Sequence, residues 1–255
     1  LPLEVQRTLE AGALSDDSFE PQQLTTAWPR ATPAALQHAY AARLLRIIGV
    51  RRWAFSSTRI HAAVLKCASA DRPQMHLRLA TALVEKGKID PLSVDAVTVA
   101  RHLVAARDGV RAAQIWKHAA ESALTRRAHR DAIVALRGYA HAVAISPSSA
   151  ESTRLRVEAL SRAAAMALSA PHVSLARGLM DEAQTLAQQL NPPSIDLLLA
   201  LARLLRIEGQ HARASEVLDT AATCAQGSAF SALVDAERAE SFEQKGDWSQ
   251  ATAAW

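Results

Sequence analysis

Aromatic residues, glycine and cysteine are all scarce in this 255-residue chain: aromatics are 4% of it, and it has 9 glycines and 2 cysteines. A sandwich or barrel needs aromatic and β-branched strands punctuated by glycine turns, so that composition argues against one. Cys67 and Cys224 lie far apart, and neither has a Cys or His companion at ligand spacing. This excludes a disulfide framework and a structural zinc site, and buried free thiols are expected instead. No apolar run approaches the roughly 18 residues of a membrane span, and no signal peptide opens the chain, so a soluble, cytoplasmic protein without a membrane partner is expected.

Chemistry is missing as well. No G-x-x-x-x-G-K-[ST] phosphate loop occurs; Gly87-Lys88 lacks both the upstream glycine and the following hydroxyl residue. No acidic strand end is placed to hold magnesium. His61 with His76, and His102 with His118, lack the i, i+4 spacing that puts two metal ligands on one helical face. Ser56 and Ser57 stand near His61 without a G-x-S-x-G turn and read as helix caps. No enzyme activity, metal or cofactor is expected.

What is abundant is small and aliphatic. Apolar residues are 49% of the chain, mainly Ala, Leu and Val, which favours close-packed helices. The formal charge is +4, but arginines and acidic residues alternate along helical patterns. That is the mark of solvated faces, and no direct nucleic-acid contact is expected.

The C-terminal quarter carries one helix-hairpin pattern twice. Ala202, Leu205, Gly209, Ala214, Leu218 and Ala221 fall where a tetratricopeptide repeat places its small and bulky packing residues. Ala239, Phe242, Gly246, Ala251 and Trp255 follow 37 positions later. The small residues mark helix contacts and the glycine ends the first helix. Ala176, Met180 and Ala183 match Ala214, Leu218 and Ala221, so the array extends upstream. A lone hairpin cannot bury its apolar face, and the second copy stops at Trp255, so a fragment of a longer protein is expected.

In chain order, short helices are expected at 2–11 and 22–28. A third begins at Thr32-Pro33 with Leu36, Tyr40, Leu44 and Ile47 on one stripe and is closed by Gly49. The RRWAF run at 51–55 is the one strand expected. Three short helices and a small strand element form a winged-helix-like module. Beyond it, Ser57 caps a helix, Asp71 and Pro73 start another that ends at Gly87, and Pro91 opens the next. Asp108-Gly109 turns into a helix carrying Trp116, and helices follow around 132–143, 155–168 and 173–190. The expected fold is all-α. Residues 1–90 form the winged-helix-like module with connecting helices, and 91–255 a tetratricopeptide-like helical-hairpin superhelix, truncated at its C-terminus.

Three stretches carry a family resemblance: FSSTRIHAAVL at 55–65, then Arg72, His76, Ala80 and Leu83, then ARHLVAARDGVRAAQIWKHAAESALTRRAHRDAI at 100–133. Together they resemble the region after the nucleotide-binding module in bacterial STAND-type ATPases, in particular the large LuxR-family transcriptional regulators. Ser57 stands where that family usually has His, and Leu65 where it has an aromatic. The resemblance implies a piece of a signal-responsive regulator. Its partners would be an unknown small-molecule inducer or regulatory protein, and adjacent ATPase and helix-turn-helix domains outside these residues.

For recognition on the concave face, Arg203, Arg206, Arg213 and Arg238 are the candidates, because guanidinium groups hold carboxylate or phosphate bidentately. Trp116, Trp248 and Trp255 occupy hairpin seams and read as core. The function expected is a non-catalytic sensor segment, and the alternative is a free-standing adaptor that scaffolds other proteins.

Overall fold

The computed structural model describes residues 1–15, 18–49, 52–67, 69–86, 94–188, 190–226 and 228–254. The expected helix stop at Gly87, the helix start at Pro91 and the seam position at Trp255 lie outside them. The chain forms two compact units, Leu1–Asp108 and Gly109–Trp255.

In the first unit the elements run α1 (Leu3–Ser15), β1 (Ser18–Phe19), α2 (Pro21–Ala27), α3 (Pro33–Ala41), β2 (Leu45–Ile48), β3 (Arg52–Phe55), α4 (Thr58–Lys66), α5 (Arg72–Lys86) and α6 (Val94–Ala105). Thr32 caps α3 as expected, accepting from Ala35 N at 3.2 Å with Pro33 in the first turn. Ser57 caps α4 through Ile60 N at 3.3 Å.

The third helix is shorter than its apolar stripe implies. Arg43 adopts a left-handed conformation, and Leu44 N bonds back to Ala39 O at 3.0 Å. Leu44 and Ile47 therefore leave the helix, and residues 45–48 pair with β3 in the register Leu45↔Phe55 and Ile47↔Trp53. Ser18–Phe19 pairs on the other edge of β3, giving an antiparallel sheet in the order β1-β3-β2 where one strand was expected. Phe19 and Phe55 meet edge to face at 6.0 Å over a core with Leu9, Leu24, Leu45 and Met75.

The second unit is an all-α array of tetratricopeptide-like hairpins. The pairs are α7 (Gly109–Thr125) with α8 (His129–Ile145), α9 (Ala150–Ser169) with α10 (Val173–Ala187), α11 (Ile195–Ile207) with α12 (His211–Ala225), and α13 (Ser231–Lys245) with α14 (Trp248–Ala254). Ala176, Ala183, Ala202, Ala214, Ala221 and Ala239 are buried where helices meet, and Leu205, Leu218 and Met180 fill the seams between them. Two expectations fail. Trp248 is 67% exposed, because it is the first residue of α14 and precedes the buried stripe that starts at Ala251. Cys67 is exposed as the C-cap of α4 and Cys224 is half-buried.

One turn geometry joins these hairpins and recurs in the first unit. The residue after the first helix is left-handed, and the next N–H reaches five residues back: Asp108 to Leu103 at 2.9 Å, Ala128 to Ala123 at 2.9 Å, Gln210 to Leu205 at 2.8 Å and Asp247 to Phe242 at 3.0 Å. Glycine holds the left-handed position at 209 and 246, but arginine holds it at 107 and 127. An L side chain in that conformation costs about 1–2 kcal/mol, and the greater freedom of unfolded glycine returns about 0.5–1 kcal/mol. Arg127→Gly is therefore expected to stabilise the array by about 0.5–1 kcal/mol, read as a rise in the urea midpoint. A fall in the midpoint would show that the exposed Arg127 side chain makes a contact worth more than the strain.

Candidate functional site

The face of α9 that lines one cavity with α7 and α8 continues into a second with α11 and α13, and the charged residues of this face are the candidates for recognition. Arg203 and Arg206 lie one turn apart on α11. Both reach across to α13, where Glu237 is only 3% exposed. Arg203 pairs with the Glu237 carboxylate. Arg206 donates from Nη1 to the Glu237 carbonyl at 3.0 Å and from Nη2 to Glu240 Oε2 at 2.9 Å, and it lies 3.3 Å from Glu237 Oε2.

Carboxylate so buried is tolerated only when paired, and the two guanidiniums supply the pairing. The hydrogen bond to Glu237 holds the Arg203 guanidinium above its usual range, against the opposing effect of burial. Two arginines and two glutamates leave this network with no net charge. Beside it opens a cavity of about 430 Å³ lined by Arg203, Arg206 and Glu240 with Leu168 and Ser169 of α9.

The structure thus brings two of the four candidate arginines together and places the other two elsewhere. Arg213 donates to Gln210 at 2.6 Å at the start of α12, and Arg238 pairs with Asp219 between α12 and α13. Glu237 was not legible as their partner, since 34 residues separate it from Arg203. The only available signal was the repeat itself, which places α13 beside α11.

A second cavity on this face, of about 210 Å³, lies among α7, α8 and α9. Glu158, half-buried on α9, has its carboxyl pushed up by burial and by Asp196 and Glu151, with Arg154 and Arg162 offsetting only part of this. Burial also raises Asp196, and burial with the Glu158 and Glu151 charges raises the Tyr139 phenol.

The histidines pair differently from either spacing considered in the sequence. His76 of α5 meets His102 of α6, Nδ1 to Nδ1 at 2.8 Å. His61 instead stacks on Phe55 with ring centroids 4.9 Å apart, and His118 lies 3.7 Å from Glu121. Among the described residues no three His, Cys, Asp or Glu side chains converge as a metal site.

One Nδ1 of the 76–102 pair must carry a proton and the other must not, so a doubly protonated pair is excluded. Burial, His102 and Arg72 together push His76 down to about 4, with Glu10 opposing, and burial lowers His102. The folded form therefore binds fewer protons than the unfolded chain between about pH 4 and 6.5, and stability falls as pH drops through that window. His76→Gln is expected to flatten this acid dependence of the first unit, followed by circular dichroism melts at pH 7, 5.5 and 4.5. A slope unchanged from the parent would remove the pair as its cause.

No protein-family model matches the chain, and no curated protein matches it in sequence. Among solved structures it is similar to a signal transduction ATPase with numerous domains (STAND) protein with a tetratricopeptide repeat sensor from Pyrococcus horikoshii. The identity is 9% and the TM-score 0.42, and all of this chain is covered. This chain spans 43% of the length of that one. Among the described residues no helix is long and apolar enough to cross a membrane.

Proposed function

We propose that this segment is the sensor and interaction part of a multidomain, ATP-dependent transcriptional regulator of the LuxR type. An inducer or regulatory protein binds the face made by α7, α9, α11 and α13, and the bound state is relayed to ATPase and helix-turn-helix domains elsewhere in the protein. The segment itself does no chemistry. The observation that carries this reading is that both cavities on that face are walled by helices of successive hairpins. A ligand touching two or three hairpins at once binds one mutual arrangement better than another, and that differential affinity is what shifts a conformational equilibrium.

In the first unit, the order helix, strand, helix, helix, hairpin with a β1-β3-β2 sheet supports reading it as a winged-helix-like module. Such a module precedes the repeats in the regulators this sequence resembles. The test is the parent coding region together with a reporter assay. A phosphate loop upstream and a helix-turn-helix downstream are expected, with induction lost when the hairpin array is deleted. A parent gene with neither domain would leave the adaptor reading in its place.

A further inference from the structure

The cavity among α7, α8 and α9 has walls of both signs. On α7, Lys117 precedes Glu121 by one turn, and on α9, Glu158 precedes Arg162 by one turn. All four line one opening, yet among the described residues none is within ion-pair distance of another. Tyr139 of α8 shares the opening, and neither it nor Glu158 makes a side-chain hydrogen bond among the described residues. The floor is apolar, with Leu124, Leu136 and Leu155.

Glu158 and Tyr139 open to the cavity without a side-chain partner among the described residues, so a ligand can take the place of water on both. Of the charges near Glu158, Asp196 and Glu151 repel it, while Arg154 and Arg162 attract it without contact. A cation placed in the cavity would offset that repulsion. The volume of about 210 Å³ corresponds to about seven water molecules and lies below the roughly 300–1,000 Å³ of drug-sized sites, which selects a small metabolite.

We propose that this cavity binds a free α-amino acid with a small aliphatic side chain, its ammonium on Glu158 and Tyr139, its carboxylate on Lys117 and Arg162, and its side chain on the three leucines. The proposal rests on the reading of this face as a sensor and names the class of its ligand. Each half of the zwitterion meets groups of opposite sign, and the apolar body replaces water over the leucines. A carboxylic acid lacking the amine leaves Glu158 unsatisfied, and an amine lacking the carboxylate leaves Lys117 and Arg162 unused.

The test is isothermal titration of the 255-residue chain with L-leucine, L-valine and L-alanine, and with isoamylamine and 4-methylpentanoate as the two half-ligands of leucine. Saturable binding of at least one amino acid is expected, with both half-ligands about tenfold weaker or more. Glu158→Gln and Arg162→Gln are each expected to weaken amino-acid binding by about tenfold, the scale of a lost charged hydrogen bond. Arg162 is exposed, so its variant reports on the site even if Glu158→Gln disturbs packing. The proposal is overturned by no saturable heat with any of the three amino acids, by equal binding of either half-ligand, or by unchanged affinity in both variants. A null titration removes the amino acid alone. The regulator reading stands or falls separately, on the parent gene and the reporter.

Discussion

Replacing Glu237 with alanine is expected to lower the stability of the hairpin array by about 3–5 kcal/mol, the range for removing one partner of a buried ion pair. The size follows from what is left behind. Arg206 is 9% exposed and among the described residues keeps only the exposed Glu240 side chain and one backbone carbonyl as partners. Arg203 loses its one carboxylate. Replacing the buried pair together, as Arg206→Met with Glu237→Leu, is expected to recover most of that loss, because the one cation then left without its carboxylate is Arg203, which is half-exposed and can turn to water. Urea denaturation followed by circular dichroism measures both. A loss below about 1 kcal/mol for Glu237→Ala would mean that water reaches the Arg206 guanidinium and that the hairpins do not pack as described. The same physics bears on ligand assays. An Arg206→Ala variant strips Glu237 of a partner, so lost binding in it must be separated from lost folding, whereas Arg213, exposed and bonded to Gln210, carries no such complication.

How far the sequence was legible depended on the kind of signal. The hairpin array was readable because its information is periodic: the small and large residues from Ala202 to Ala221 repeat at 37–38 positions, and they are buried at helix contacts as that spacing implies. Caps were readable because Thr32 and Ser57 act on N–H groups three residues away. The strand at 45–48 was missed because a left-handed arginine at 43, not a glycine, ends α3, and the leucines and isoleucines beyond fit a helical stripe as well as a strand. The site was harder still. Glu237, Glu158 and Tyr139 look like ordinary surface residues in sequence, and only the packing of α8 on α9 and of α11 on α13 turns them into half-buried or buried groups. The pairing of His76 with His102 is hidden in the same way, since it depends on how α5 meets α6.

Trp116→Ala is expected to cost about 3–5 kcal/mol, and its coupling to Gly138 decides whether the packing is understood. Trp116 is 4% exposed and its six-membered ring lies against Gly138 of α8, where a Cβ would fall 2.5 Å from Cδ2 and Cε2. Its indole N–H has no hydrogen-bond partner among the described residues. Trp116→Phe therefore loses ring area but also removes a buried unsatisfied donor, itself worth about 1–3 kcal/mol, so it is expected to cost much less than the alanine variant. At position 138 the sign of the effect should reverse with background. In the parent, Gly138→Ala forces the ring aside and is expected to destabilise by about 1–3 kcal/mol, the scale of overpacking. With Trp116 already alanine, the methyl group enters the space the ring left, and the better helix propensity of alanine, about 1 kcal/mol, turns the same substitution stabilising. Four denaturation curves close the cycle. A Gly138→Ala effect of the same sign and size in both backgrounds would show that the ring does not rest on this glycine and that α7 and α8 meet along a different line.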